Sequence, residues 1–136
     1  MLISEQNVLI VRDSFDAFAK RGLDALAKFW HPEINWRAIE GAPDDVGETP
    51  GIEAVRRYLQ DWLDMFDDIT VVPEKLIDVG DDRVIAVQLT SGRAKLSGIE
   101  TQLRYAVLYT VWDGKIVRGR EYAELAEALK AVGLEE

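Results

Sequence analysis

With one histidine and no cysteine in 136 residues, this chain must rely on carboxylates and phenols if it is to move protons. Tyr105 and Tyr109 share one face of a strand-like run, with Val107 between them. Their hydroxyls can act as weak acids or as donors to an oxyanion, or sit in a core with one satisfied hydroxyl. Gln88 alternates with Val84 and Ala86, so its amide points to the apolar side of its own strand. A buried amide needs partners: a ligand carbonyl or hydroxyl, or Tyr105 or Tyr109. Trp36, Tyr58 and Trp62 suit the wall of a pocket for a flat, apolar ligand, although aromatics at helical spacing also build ordinary cores. Late in the chain, Glu121 in GREY and Glu124 in YAEL are the acids in reach of the last strand-like segment. Arg37 can hold a ligand carboxylate, but an ion pair with the acidic 38–50 loop is the simpler reading. His31, in KFWHPEINWR, stands at an expected helix end, where an imidazolium favours the helix dipole; its role is read as architectural.

Other chemistries lack their residues. A Cys-based metal site is impossible, and no Asp/Glu cluster has the spacing of a carboxylate-rich one. No glycine-rich phosphate loop, dinucleotide fingerprint or serine-nucleophile elbow occurs, and Arg56 and Arg57 lie beside an acidic loop rather than a phosphate cradle. A net charge of −9 argues against nucleic acid and anionic membrane surfaces as partners. No apolar run reaches the roughly 18 residues of a membrane span. The start MLISEQNVLIVRDSF has neither a basic region nor a cleavage site, so the expected location is cytoplasmic.

The elements that position these residues follow from periodicity. Ser4 is a candidate N-cap for a helix whose Val8, Val11, Phe15 and Phe18 share a face. Leu23, Leu26, Ala27 and Trp30 form a second stripe ending at His31-Pro32, since a residue before proline leaves the helical region. Ile34 to Arg37 reads as extended, and residues 38–50 as a loop with two prolines, two glycines and four acids. Thr49-Pro50 signals a cap and first turn for a third helix over about 51–67. Strand patterns follow over about 71–79, 84–90, 100–112 and 115–122, with a strong hairpin turn at Asp113-Gly114. A last helix carries Leu125, Leu129 and Val132 and stops at Gly133-Leu134.

Helices first and an antiparallel meander after them make an α+β fold, expected as a single domain over residues 1–136. Both faces of the sheet are apolar: Ala106, Leu108 and Trp112 oppose Tyr105, Val107 and Tyr109, and Ile85, Val87 and Leu89 oppose Val84 and Ala86. With few helices to cover the second face, a homodimer through the outer sheet face is expected.

The order of elements, with RGLDALAKFWHPEINWR, GIEAVRRY and DGKIVRGREYAELAEALKAVGL, resembles the SnoaL-like branch of the nuclear transport factor 2 superfamily over essentially the whole chain. That superfamily holds ketosteroid isomerases, limonene epoxide hydrolases, scytalone dehydratases and non-catalytic association domains. The resemblance implies a cone-shaped α+β barrel: three N-terminal helices on a strongly curved mixed or antiparallel sheet, a short C-terminal helix, and a deep apolar pocket open at one end. Ketosteroid isomerases carry a tyrosine, an aspartate base and a protonated acid where this chain has Phe15, Ala38 and Val107; the epoxide hydrolases also need an aspartate at the Val107 position. Polyketide cyclases place a catalytic aspartate late in the chain, near where Glu121 stands.

If the last strand pairs as in that family, Val117, Gly119 and Glu121 face the pocket, and Gly119 leaves room for a ligand. Glu121 is then the candidate proton acceptor, its pKa raised by desolvation, with Gln88 and one tyrosine, Tyr105 foremost, steadying an oxyanion. The alternative is a salt bridge from Glu121 to Arg93, Arg104 or Arg120. The expected function is a pocket for a small hydrophobic molecule, with cofactor-independent isomerase, cyclase, dehydratase or hydrolase chemistry; the alternative is a non-catalytic dimeric ligand-binding or association module.

Overall fold

In the computed structural model, which describes residues 3–134, apolar spacing in the first half produces helices α1 (Ile3–Arg21), α2 (Leu23–Ala27) and α3 (Ile52–Leu63). Alternation in the second half produces β3 (Phe66–Gly80), β4 (Arg83–Ala94), β5 (Glu100–Trp112) and β6 (Lys115–Tyr122). Strands β1 (Trp30–Arg37) and β2 (Glu48–Pro50) lie between the helices, and α4 (Leu125–Ala131) ends the described chain. The α1 helix already contains Ser4, so that residue is not the cap. The second apolar stripe is shorter than its spacing suggests: Trp30 and His31 open β1 instead of closing α2, and His31 therefore meets no helix dipole. Thr49 and Pro50 pair with Trp36 and Asn35 in a ladder, and Gly51, at φ 91°, makes the turn into α3.

The six strands form one sheet in the order β2-β1-β6-β5-β4-β3, with β1 parallel to β6 and the other neighbours antiparallel. The mixed α+β class stands, but the cone-shaped, strongly curved barrel does not. A barrel needs its first and last strands to pair, whereas β2 and β3 end the order without pairing with one another. The sheet is open. Its inner face is covered by helices: Val11 and Phe15 of α1, Leu23 of α2 and Val55 of α3 pack on Ile34, Val84, Ala86, Val107 and Val111.

The opposite face is not bare. Ala128 and Leu129 of α4 bury Ile85 and Ala106, with Ile77, Leu108 and Tyr122 around them. Leu134 N–H donates to the Leu129 carbonyl at 2.8 Å and Gly133, at φ 78°, donates to the Lys130 carbonyl at 3.1 Å, the helix stop expected at Gly133-Leu134. The helix covers only part of the face. Trp112 and Val72 remain 63% and 50% exposed. No helix among the described residues is long and apolar enough to cross a membrane.

Candidate functional site

Between the helices and the inner face of the sheet lies a cavity of about 90 Å³, several times the space one water needs. Glu121, Tyr105, Trp36, Tyr58, Trp62, Gln88 and Tyr109, the seven residues singled out from sequence, all line it. They arrive from five elements: β1 brings Trp36, α3 brings Tyr58 and Trp62, β4 brings Gln88, β5 the two tyrosines and β6 the glutamate. Phe15, Leu23, Leu59 and Ile116 complete a mainly apolar wall.

Strand pairing sets Glu121 opposite Val107 and Gly119 opposite Tyr109, so both are on the inner face as expected. Val117 is not. The register slips between Thr110 and Val111, with Val111 opposite Ile116; Val117 is the extra residue of a bulge, and Ile116 lines the cavity in its place. Nor does Gly119 make room for a ligand. A Cβ there would overlap the six-membered ring of Trp36, so the missing side chain lets the indole lie against the strand.

That close approach sets the geometry of the glutamate. Trp36 Nε1 donates to Glu121 Oε2 at 2.8 Å, and the Tyr58 hydroxyl lies 3.1 Å from the same oxygen. Oε1 makes no hydrogen bond to the described protein. The three arginines considered as partners are engaged elsewhere: Arg93 with Glu100, Arg104 with Glu74, and Arg120 with Glu40. Without a cation, burial dominates and pushes the Glu121 pKa up to about 7; the bonds from Trp36 and Tyr58 pull the other way, and the Asp44 charge adds to the rise.

Asp44 was not legible as a site residue. It lies in the acidic loop, yet its Oδ2 is 3.0 Å from the Tyr58 hydroxyl. The loop is fixed by Asp45, whose carboxylate accepts from Gly41 N–H and Gly47 N–H at 2.9 Å each, bonds that lower its pKa. Arg37 pairs with Asp45 and Glu40, the ion pair expected in place of a ligand contact. Burial raises the Tyr58 pKa, and the two carboxylate charges raise it further.

Beside the glutamate on the same face of the sheet, the Tyr109 hydroxyl donates to Gln88 Oε1 at 2.7 Å, and Gln88 Nε2 donates to the Tyr105 oxygen at 3.3 Å. Both alternatives for Gln88 partners within the protein are thus realised at once. In this chain of bonds Tyr105 accepts from Gln88, and its own hydrogen can go to another oxygen, that of the neighbouring Thr90 or of a ligand. Burial raises the pKa of Tyr105 and, more strongly enclosed, of Tyr109, so both are neutral donors near pH 7. Tyr109 is held edge-on by Trp36 and Phe15, at ring separations of 5.8 and 6.2 Å, and Trp62 packs on Phe66 at 5.1 Å. His31 does not line the cavity; its Nδ1 accepts the Glu33 N–H at 3.0 Å. Among the described residues no group of three or more His, Cys, Asp or Glu is placed to hold a metal ion.

The arrangement therefore sets a carboxyl with a raised pKa near a phenol that can donate, on one wall of an apolar cavity. Such a pair can take a proton from carbon and stabilise the oxygen that gains charge.

A family model described as a SnoaL-like domain matches residues 11–119. Among solved structures, a nuclear transport factor 2-like protein from Burkholderia thailandensis is 26% identical, with a TM-score of 0.76 over 92% of this chain and 95% of that one. TerC, co-crystallised with polyporic acid, is 19% identical with a TM-score of 0.74, covering 94% and 98%. A Mycobacterium tuberculosis protein in complex with estradiol-17beta-hemisuccinate is 16% identical, with a TM-score of 0.74 over 88% and 95%. A search of curated proteins finds no match.

Proposed function

The chain belongs to the SnoaL-like domain family, and from that premise we propose that it binds a small apolar or aromatic molecule and acts on it by cofactor-independent acid/base chemistry. The observation that carries this reading is Glu121: a carboxyl with a pKa near 7, on an apolar cavity wall, with no cation paired to it among the described residues. A general base is most effective when its pKa lies near the working pH. Glu121 takes the proton, and Tyr105, positioned by Gln88, donates to the oxygen on which charge develops. Trp36, Tyr58, Trp62 and Tyr109 shape the wall against the flat part of the ligand. Two fold neighbours hold small organic molecules, which supports a ligand of that size here. Proton abstraction beside a carbonyl is common to isomerase, cyclase and dehydratase chemistry, so the proposal is for that step.

The test is hydrogen–deuterium exchange at carbon in a panel of aromatic ketones incubated with the protein in heavy water. Wild type is expected to accelerate exchange of at least one compound, and Glu121→Gln to slow it at least a hundredfold; equal rates in the two proteins sink the assignment of Glu121.

The outer sheet face favours a second reading, a dimeric ligand-binding or association module. Trp112 and Val72 stay exposed there beyond the cover of α4, and a homodimer through this face would bury them. Dimerisation is compatible with either reading.

A further inference from the structure

Tyr58 has one hydroxyl hydrogen and two carboxylate oxygens within reach: Asp44 Oδ2 at 3.0 Å and Glu121 Oε2 at 3.1 Å. A phenol can donate only one bond. With both carboxylates ionised, one of these two contacts would set a negative oxygen against a lone pair in a desolvated place, which is repulsive at such a distance. A second proton removes the conflict. If it sits on Glu121 Oε2, the glutamic acid donates to Tyr58 and Tyr58 donates to Asp44; if on Asp44 Oδ2, the direction of both bonds reverses. Trp36 Nε1 can donate to Oε2 in either state.

We propose that Glu121, Tyr58 and Asp44 form a proton relay that stores one proton and passes it between the cavity and the acidic loop. The transfer is balanced. Oε2–H of Glu121 breaks as a new O–H forms on Tyr58, and the original Tyr58 O–H breaks as Oδ2–H of Asp44 forms. Tyr58 stays neutral, Glu121 becomes the carboxylate and Asp44 the acid. Asp44 is partly exposed and exchanges the proton with water. Oε1 of Glu121 remains available to the ligand throughout.

The other charged groups near the loop do not supply this proton or quench it. Asp45 is engaged by Arg37, and Glu40 by Arg37 and Arg120. From β5 the groups facing the cavity are Tyr105 and Tyr109, and from β4 Gln88, none of them charged near neutral pH. The relay rests on the base assignment for its part in turnover, where it would reset Glu121 after a proton is taken. Its existence can be tested without turnover.

The experiment follows the side-chain carboxyl carbon of Glu121 by NMR against pH in wild type, Asp44→Asn, Tyr58→Phe and the double variant. Through a relay, Asp44→Asn lowers the Glu121 midpoint by about one pH unit or more in the wild-type background, a tenfold change in proton affinity. In the Tyr58→Phe background the same substitution moves it by less than about 0.3. Equal shifts in both backgrounds show that Asp44 acts through space alone and overturn the relay. Should Tyr58→Phe not fold, the ring Cζ resonance of Tyr58 decides: an inflection at the Glu121 midpoint that moves with it in Asp44→Asn supports the relay, and a Cζ resonance that does not follow Glu121 refutes it. If Glu121→Gln leaves carbon exchange unchanged while these titrations remain coupled, the base assignment has failed and the relay has not.

Discussion

A carboxyl that titrates near 7 leaves a mark on stability as well as on chemistry. Glu121 has a folded pKa of about 7 against an ordinary value of 4.5, so between those values the folded state binds more protons than the unfolded one. Its contribution is therefore fully present below about 4.5, lost as pH rises, and exhausted above about 7. The whole span is worth up to about 3 kcal/mol. Asp45 and Glu74 are shifted in the opposite direction, so their contributions change in acid, below that window. Urea unfolding between pH 5 and 8 should show wild-type stability falling as pH rises, and Glu121→Gln removing most of that slope. A slope retained in the variant would assign it to other groups. At this scale the sequence was informative where alternation alone decides direction: Gln88 had to share a face with Val84 and Ala86, and Tyr105 with Tyr109. Glu121 needed the family likeness to set its strand partner. Asp44 had no signal, because it reaches Tyr58 through a loop whose course is held by backbone N–H groups binding Asp45. No periodicity encodes such a course.

Between elements, the contact of β1 with β6 matters most for the site. Gly119 lets the Trp36 ring lie on the strand, and that ring carries the donor to Glu121. Gly119→Ala should displace the indole and cost about 1–3 kcal/mol, as overfilling a packed site does. It should also raise the Glu121 midpoint, since the Trp36 bond favours the ionised form. Chemical denaturation and carboxyl NMR check the two effects together; an alanine variant of wild-type stability and midpoint would refute the close approach. The long strand Glu100–Trp112 and the return Lys115–Tyr122 were legible to the residue because Asp113-Gly114 punctuates them so strongly. Where the punctuation was ambiguous the reading failed. Thr49-Pro50 has the composition of a helix start and the position of an edge strand, with Pro50 on the rim of the sheet where its missing donor is tolerated. Trp30 fits the apolar stripe of α2 and also the core end of β1; proline at 32 turned the chain into the strand earlier than the stripe implied. The Val117 bulge adds one residue that strict alternation cannot anticipate.

For the whole molecule, the α+β class followed from helices preceding strands, but closure did not. Whether a sheet closes depends on the pairing of its two end strands, β2 and β3, which are distant in sequence and carry no pairing code. The apolar second face needs cover, and α4 supplies part of it over Ile85 and Ala106. The remainder underlies the proposed dimer. Light scattering at micromolar concentration is expected to give twice the 15.3 kDa chain mass, and Trp112→Lys to shift the population towards monomer; a monomeric wild type refutes the dimer. The open sheet has one further consequence. β3 runs for 15 residues along an edge with no strand beyond it among the described residues, the kind of border on which chains can template fibres. Here Pro73 withholds a donor, the ladder to β4 slips between Asp67 and Thr70, between Pro73 and Lys75 and between Asp78 and Gly80, and Asp67, Asp68, Glu74, Lys75 and Asp78 set charge along it. An incoming strand would find neither a continuous row of donors nor an uncharged surface, so the border stays unzipped and the chain resists growing into amyloid from its longest strand.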